Sequence, residues 1–150
     1  EPNRIKAGRL NKKIIDSIQS IDLNAKIISM GDFNDDPKDI SIKLTLNTSS
    51  KKNKLGKGQI YNPFEILHRK GYGSLKYRGN WNMLDQLLIT ESLLNNESFK
   101  FIKAGIFNKK FLINPEGNYK GYPFKSFYNR WLGGYSDHFP IFLMLGKKIN

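Results

Sequence analysis

Three acidic clusters are set against apolar runs in a chain that has only 13 acidic residues. They are Gly31-Asp32-Phe33-Asn34-Asp35-Asp36-Pro37, Leu84-Asp85-Gln86 and Ser136-Asp137-His138. A carboxylate entering an apolar strand is costly unless paired, hydrogen-bonded or metal-bound, because burial disfavours the ionised form. Something should therefore stabilise these charges. With no cysteine in the chain, thiol nucleophiles and disulfides are excluded, and any metal must be held by oxygen or imidazole. Taken singly each cluster has a plain structural reading: Asn-Asp-Asp-Pro is good turn chemistry, and an Asp beside a His can be a strand-end hydrogen bond.

The surrounding pattern supplies elements to position them. From Arg4 to about Ser20, Leu10, Ile14, Ile18 and Ile21 recur every three or four residues among polar ones, which predicts an amphipathic helix that needs a sheet to lie on. Lys26 to Met30 is too brief for a helix and reads as a buried strand ending at Gly31. Residues 47–59 lack apolar period and read as a mobile surface loop. Asn62-Pro63-Phe64-Glu65-Ile66-Leu67 reads as a short helix capped by Asn62, with His68 in its last turn and Gly71 beyond its end. Ser74–Arg78 and Met83–Thr90 read as two strands joined by a hairpin turn at Gly79-Asn80-Trp81-Asn82. Phe99–Phe107 and Phe139–Leu145 read as further strands, separated by an aromatic-rich stretch with little period.

The 150 residues fit one domain, and 39% hydrophobic content is enough for a core. A formal charge of +12 favours a polyanionic partner such as nucleic acid, a phosphorylated small molecule or an anionic membrane surface. The excess is mostly Lys, with arginine only at Arg4, Arg9, Arg69, Arg78 and Arg130, so coding bias is an equally good account of it. No apolar run approaches the ~18 residues a membrane span needs, and the leading Glu1-Pro2-Asn3-Arg4 is no signal peptide. The chain reads as soluble, with its compartment open.

Together and in this order, the three clusters resemble the later half of the endonuclease/exonuclease/phosphatase (DNase I-like) superfamily. That half carries a Gly-Asp-Phe/Leu-Asn motif, an Asp in a Trp-containing hairpin and a Ser-Asp-His motif. Here these are Gly31-Asp32-Phe33-Asn34, Asp85 with Trp81 four residues before it, and Ser136-Asp137-His138. The wording Gly-Asp-Phe-Asn-Asp-Asp-Pro and Gly133-Gly134-Tyr135-Ser136-Asp137-His138 looks like a bacterial branch of it. The resemblance covers essentially the whole chain and implies an α/β (α+β) fold, half of a four-layered sandwich with mostly antiparallel or mixed sheet flanked by helices.

It also implies a metal-dependent phosphoesterase that hydrolyses phosphate esters by in-line attack of water, with Mg²⁺ or Mn²⁺ neutralising the phosphoryl oxygens. Asp32 would orient or deprotonate the water, and Asn34 would donate a hydrogen bond to the phosphate. His138, with Asp85 as its partner, would contact a phosphate oxygen as imidazolium and stabilise the charge that grows there. Asp137 would be a metal ligand, with Asp32 beside it. Lys125 and Arg130 are candidates for substrate phosphate, though a solvated face is their simpler reading. Trp81 reads as a core or rim aromatic before a base-stacking platform, Asp35 and Asp36 as turn and cap residues, and His68 as structural or solvated.

The family's first half supplies an Asn and a Glu metal ligand, and no such strand precedes Gly31. The expectation is that residues 1–150 form a carboxyl-terminal half that binds Mg²⁺ weakly and turns over little by itself. Its sheet face would be covered by an amino-terminal half or by self-association. Two alternatives accompany this reading: a non-catalytic basic module binding nucleic acid or protein, and a phosphatase acting on a phosphorylated lipid or small molecule.

Overall fold

A computed structural model describes residues 2–56, 58–95 and 98–147. Glu1, in the leading tail, and Lys57, in the polar loop, lie outside them. The chain runs α1 (Pro2–Ile21), β1 (Ile28–Asp32), a π-helical turn (Ser41–Thr45), β2 (Thr48–Ser49), β3 (Ile60–Tyr61) and α2 (Phe64–Arg69). It continues with β4 (Leu75–Tyr77), β5 (Asn80–Asn82), β6 (Asp85–Ile89), α3 (Ser92–Asn95), β7 (Phe99–Ile106), β8 (Phe127–Tyr128), β9 (Arg130–Trp131) and β10 (Ile141–Lys147). Helices with open, mostly antiparallel sheets make this the α+β fold expected.

The central sheet has the order β1-β6-β3-β2. β1 and β6 pair antiparallel from Ile28 opposite Ile89 to Asp32 opposite Asp85. Because side chains alternate across a strand, this register assigns each residue a face. Leu88 and Ile60 face one way and pack with Ile15 of α1 and with Ile42 and Leu46 of the π-helical region. Ile89 and Tyr61 face the other way and pack with Leu93, Leu94 and Phe101, against which Leu143 and Leu145 of β10 also lie. The β7–β10 pair thus covers the β3 and β6 part of the face that carries Asp32 and Asp85, and leaves the β1 part uncovered.

Four sequence expectations change in detail. The helix forms, but Leu10, Ile14, Ile18 and Ile21 stay 61%, 52%, 42% and 89% exposed, and α1 is seated through Gly8 and Ile15 instead. Its seat is a backbone approach: a Cβ on Gly8 would lie 2.9 Å from the Ser41 carbonyl oxygen, so the apolar stripe loses the competition for the inner face. The strand near Met30 also forms, but as the sheet's edge, with one partner strand and no layer over its outer end. Ile28 and Met30 are 37% and 72% exposed, so it is not the buried strand read from its composition.

The hairpin divides into two elements. Arg78 and Gly79 take φ of 48° and 85°, the mirror-image turn geometry that closes a two-residue hairpin, so β4 pairs with β5 around them. Trp81 therefore sits within β5 and not in the turn, and β6 leaves for the central sheet. Finally, residues 47–59 are not wholly a surface loop: Thr48 and Ser49 are buried and pair parallel with Ile60 and Tyr61. The α2 reading holds, with the Phe64 amide donating to Asn62 Oδ1 at 3.0 Å and the Gly71 amide to the His68 carbonyl at 2.9 Å.

Candidate active site

Asp32 closes β1 and Asp85 opens β6, directly opposite each other. Like charges so placed repel, and His138 relieves them. Its Nδ1 lies 2.6 Å from Asp85 Oδ2, with both side chains about four-fifths buried. The ring is delivered by the chain entering β10: the Phe139 amide donates to the Ser74 carbonyl at 2.8 Å, and His138 bridges to Leu75. The His138 amide donates to Ser136 Oγ at 3.1 Å, a local turn built by the Ser-Asp-His spacing.

The hydrogen bond with Asp85 raises the His138 pKa above the usual histidine value, against the lowering effect of burial and with help from the charges of Asp85, Asp137 and Asp32. Burial pushes the Asp85 carboxyl up, but the hydrogen bonds from His138 and Ser74 and the charge of His138 prevail, leaving it below the usual range. Both shifts favour the carboxylate–imidazolium form of the pair, and Nε2 is left without a protein partner among the described residues. Asp32 accepts the Asn34 amide on Oδ1 at 2.8 Å, which its left-handed Asn34 neighbour (φ 52°) makes possible, and both side chains are exposed.

Asp35 and Asp36 belong to the scaffold. Arg4 Nε donates to Asp35 Oδ1 at 2.6 Å and Ser41 Oγ to Oδ2 at 2.5 Å. Asp36 accepts the Met83 amide at 2.7 Å and Asn82 Nδ2 at 3.1 Å, with His68 Nε2 3.5 Å away. Both carboxylates are buried: Asp35 is ion-paired with Arg4, whereas Asp36 is the turn residue read from Pro37, its carbonyl accepting the Asp39 amide at 2.9 Å and its own amide donating to Asp39 Oδ2 at 2.8 Å. His68 is structural. Trp81 stacks on Phe139 at 5.8 Å, a rim aromatic that steadies the segment following His138.

Sequence reading missed the groups that hold this frame. Gln86, fully buried, donates from Nε2 to the Asp35 carbonyl at 2.8 Å and the Met83 carbonyl at 3.0 Å, and accepts from Asn62 Nδ2 at 2.7 Å. A lone amide inside an apolar strand was its only signal. Ser74, buried beneath Asp85, carried none.

Asp137 and the two basic candidates meet in one cleft of about 680 Å³, where Asp137, Lys125 and Arg130 are joined by Lys76 and Arg78 from the hairpin. The Gly79 amide donates to the Tyr122 hydroxyl at 3.0 Å, tying the hairpin to the aromatic stretch. That stretch folds back on itself at Gly134, where a Cβ would fall 2.2 Å from the Phe124 carbonyl oxygen, so only glycine admits the return that brings Lys125 and Asp137 to one cleft.

No three His, Asp or Glu side chains gather to hold a metal ion among the described residues. The exposed pair Asp32 and Asp137 does not by itself fit a resident divalent ion, which takes about six oxygen ligands. No helix of the described residues is long and apolar enough to cross a membrane. No curated protein and no solved structure matches the chain. Residues 1–147 match the model of the Endonuclease/Exonuclease/phosphatase family, whose members are in general hydrolases of phosphate esters. With a match over nearly its whole length, the chain belongs to the Endonuclease/Exonuclease/phosphatase family.

Proposed function

We propose that this chain carries the proton-handling and phosphate-binding part of a phosphoesterase site. The observation that supports it most directly is the His138–Asp85 couple set against Asp32 across the β1–β6 ladder. An imidazolium held by a half-buried carboxylate is a fixed positive charge, which stabilises phosphoryl oxygens as negative charge grows on them. Asp85 is the positioning residue that keeps Nε2 available. Asp32 has one oxygen committed to the Asn34 amide and the other open, so it can accept a proton from an attacking water; the Asn34 side chain is exposed beside it to donate to the phosphate.

Mg²⁺ or Mn²⁺, implied by the sequence resemblance, would need donors beyond Asp32 and Asp137, and its role would be to neutralise the phosphoryl oxygens. We propose that this chain acts as the carboxyl-terminal half of a two-part domain, with an amino-terminal half or a second copy adding those donors. The bare apolar side chains of β1 and α1 support a covering partner. The alternative of a non-catalytic basic module would leave the His138–Asp85 couple without a task.

The test is hydrolysis of bis(p-nitrophenyl) phosphate with Mn²⁺ by the wild type, Asp32→Ala and His138→Ala, alongside a titration with inorganic phosphate followed at the His138 ring by NMR. Weak turnover that drops by about 100-fold in each variant, with a saturable shift of the ring resonance, is expected. Turnover indifferent to both substitutions, or a ring that ignores phosphate, overturns the reading.

A further inference from the structure

β1 is an open edge, with β6 on one side and no strand on the other among the described residues. The Thr90 amide donates to the Ile27 carbonyl at 3.1 Å and the Phe33 amide to the Leu84 carbonyl at 2.8 Å, so the odd-numbered residues of β1 turn their backbone groups toward β6. Ile28 and Met30 therefore turn theirs outward, where another strand can bond them.

Helix α1 overhangs the same edge. Gly8 and Ile15 point to the core, and Asn11 Nδ2 donates to Ser29 Oγ at 2.6 Å, so that side of the helix leans over β1. At about 100° per residue, Ile18, Ile14 and Leu10 follow Asn11 in the same rotational sense. The exposed stripe thus projects past the edge strand.

A second copy of the chain fits both features. Lys26, Ile28, Met30 and Asp32 share one face of β1, because side chains alternate along a strand. An antiparallel pair with its two-fold axis at Ser29 sets Ile28 opposite Met30 and Lys26 opposite Asp32, twice each, and lets the outward backbone groups of Ile28 and Met30 bond each other reciprocally. Moving the axis to Ile28 or to Met30 sets Asp32 opposite Asn24 or Ile28 and loses the charge match. Lys26 donates to Ser98 Oγ in its own chain and has no carboxylate partner among the described residues, so its charge is open to Asp32 of another copy. The same two-fold lays the two α1 helices antiparallel, stripe to stripe.

We propose that two copies of this chain join through their β1 edges about a two-fold axis at Ser29, covering the α1 stripes and setting Lys26 of each copy against Asp32 of the other. The second copy thereby places a cation beside the carboxylate assigned to the attacking water. This rests on the phosphoesterase reading for what that cation does, not for the pairing.

The chain has no cysteine, so single cysteines introduced into it report the register. Facing Cα atoms of an antiparallel pair that is not hydrogen-bonded lie about 4.5 Å apart, within reach of a disulfide. Ser29→Cys should therefore crosslink two copies under mild oxidation, whereas Asn53→Cys, exposed beyond β2 at the opposite edge of the sheet, should not. In sedimentation equilibrium, Lys26→Glu and Asp32→Lys should each weaken the dimer by at least about 10-fold, since each sets like charges face to face, and the double exchange should restore it. Circular dichroism matching the wild type shows that each variant is folded.

A chain that stays monomeric, as it would if a different protein covers this edge, overturns the proposal. So does a folded Ser29→Cys variant that crosslinks no more than Asn53→Cys, or a double exchange that fails to recover the dimer. Pairing in this register by a chain that hydrolyses no phosphodiester upholds the dimer and sinks the phosphoesterase. His138-dependent hydrolysis by a monomer does the reverse.

Discussion

At the residue scale the molecule turns on one contact, His138 Nδ1 to Asp85 Oδ2. Its linkage to stability has a definite sign. A raised histidine pKa contributes stability in full below the unfolded value of about 6.5, and that contribution fades as pH rises through the folded value. A lowered carboxyl contributes in full above about 3.8 and fades as pH falls through its folded value. The pair therefore stabilises most between those limits. Asp85→Asn should lower stability by about 1–3 kcal/mol at pH 5.5 and by less at pH 9, measured by urea unfolding. In the same variant the His138 pKa should fall, and NMR can follow it cleanly because the chain has only two histidines. Asp32, Asp85, Asp137 and His138 were legible from their motifs, since each is a polar break against an apolar run. Ser74 was not, because a buried serine beneath a carboxylate looks like any other serine in a sequence.

Among the elements, the polar frame around Gln86 does what the hydrophobic clusters cannot: it fixes the loop between β1 and the π-helical turn relative to β6, and hence the spacing of Asp32 and Asp85. Gln86→Leu removes one donor group and one acceptor, leaving Asn62 Nδ2 and the carbonyls of Asp35 and Met83 buried with fewer partners. The expected loss is about 3 kcal/mol, read as a lower urea midpoint, and retention of wild-type stability would show that water replaces the amide without cost. Element identity was largely readable from period and caps. Packing side was not: α1 was expected to bury its Leu10–Ile14–Ile18 stripe, and the missing Cβ of Gly8 decided otherwise by letting backbone meet backbone. The split of the hairpin was hidden because it depends on two consecutive positive φ values, one of them at an arginine.

For the whole molecule, charge and bareness are distributed unequally. The cleft gathers unpaired cations, whereas Leu10, Ile14 and Ile18 on α1 and Ile28 and Met30 on β1 present apolar surface. Exposed patches of that kind drive association. Sedimentation velocity should show concentration-dependent self-association of the chain alone, reduced by Met30→Glu; a monomer at every concentration would mean that this surface needs no cover.

His138 is joined to residues 53 positions away at Asp85, and Asp85 in turn faces Asp32 across the sheet. Contacts that close such long stretches of chain cost loop entropy before they reward it. Because His138 leads directly into β10, its ring takes its place beside Asp85 only when that strand is seated along β7. Loosening of β10 should therefore part His138 from Asp85, an opening that NMR at the histidine ring would register.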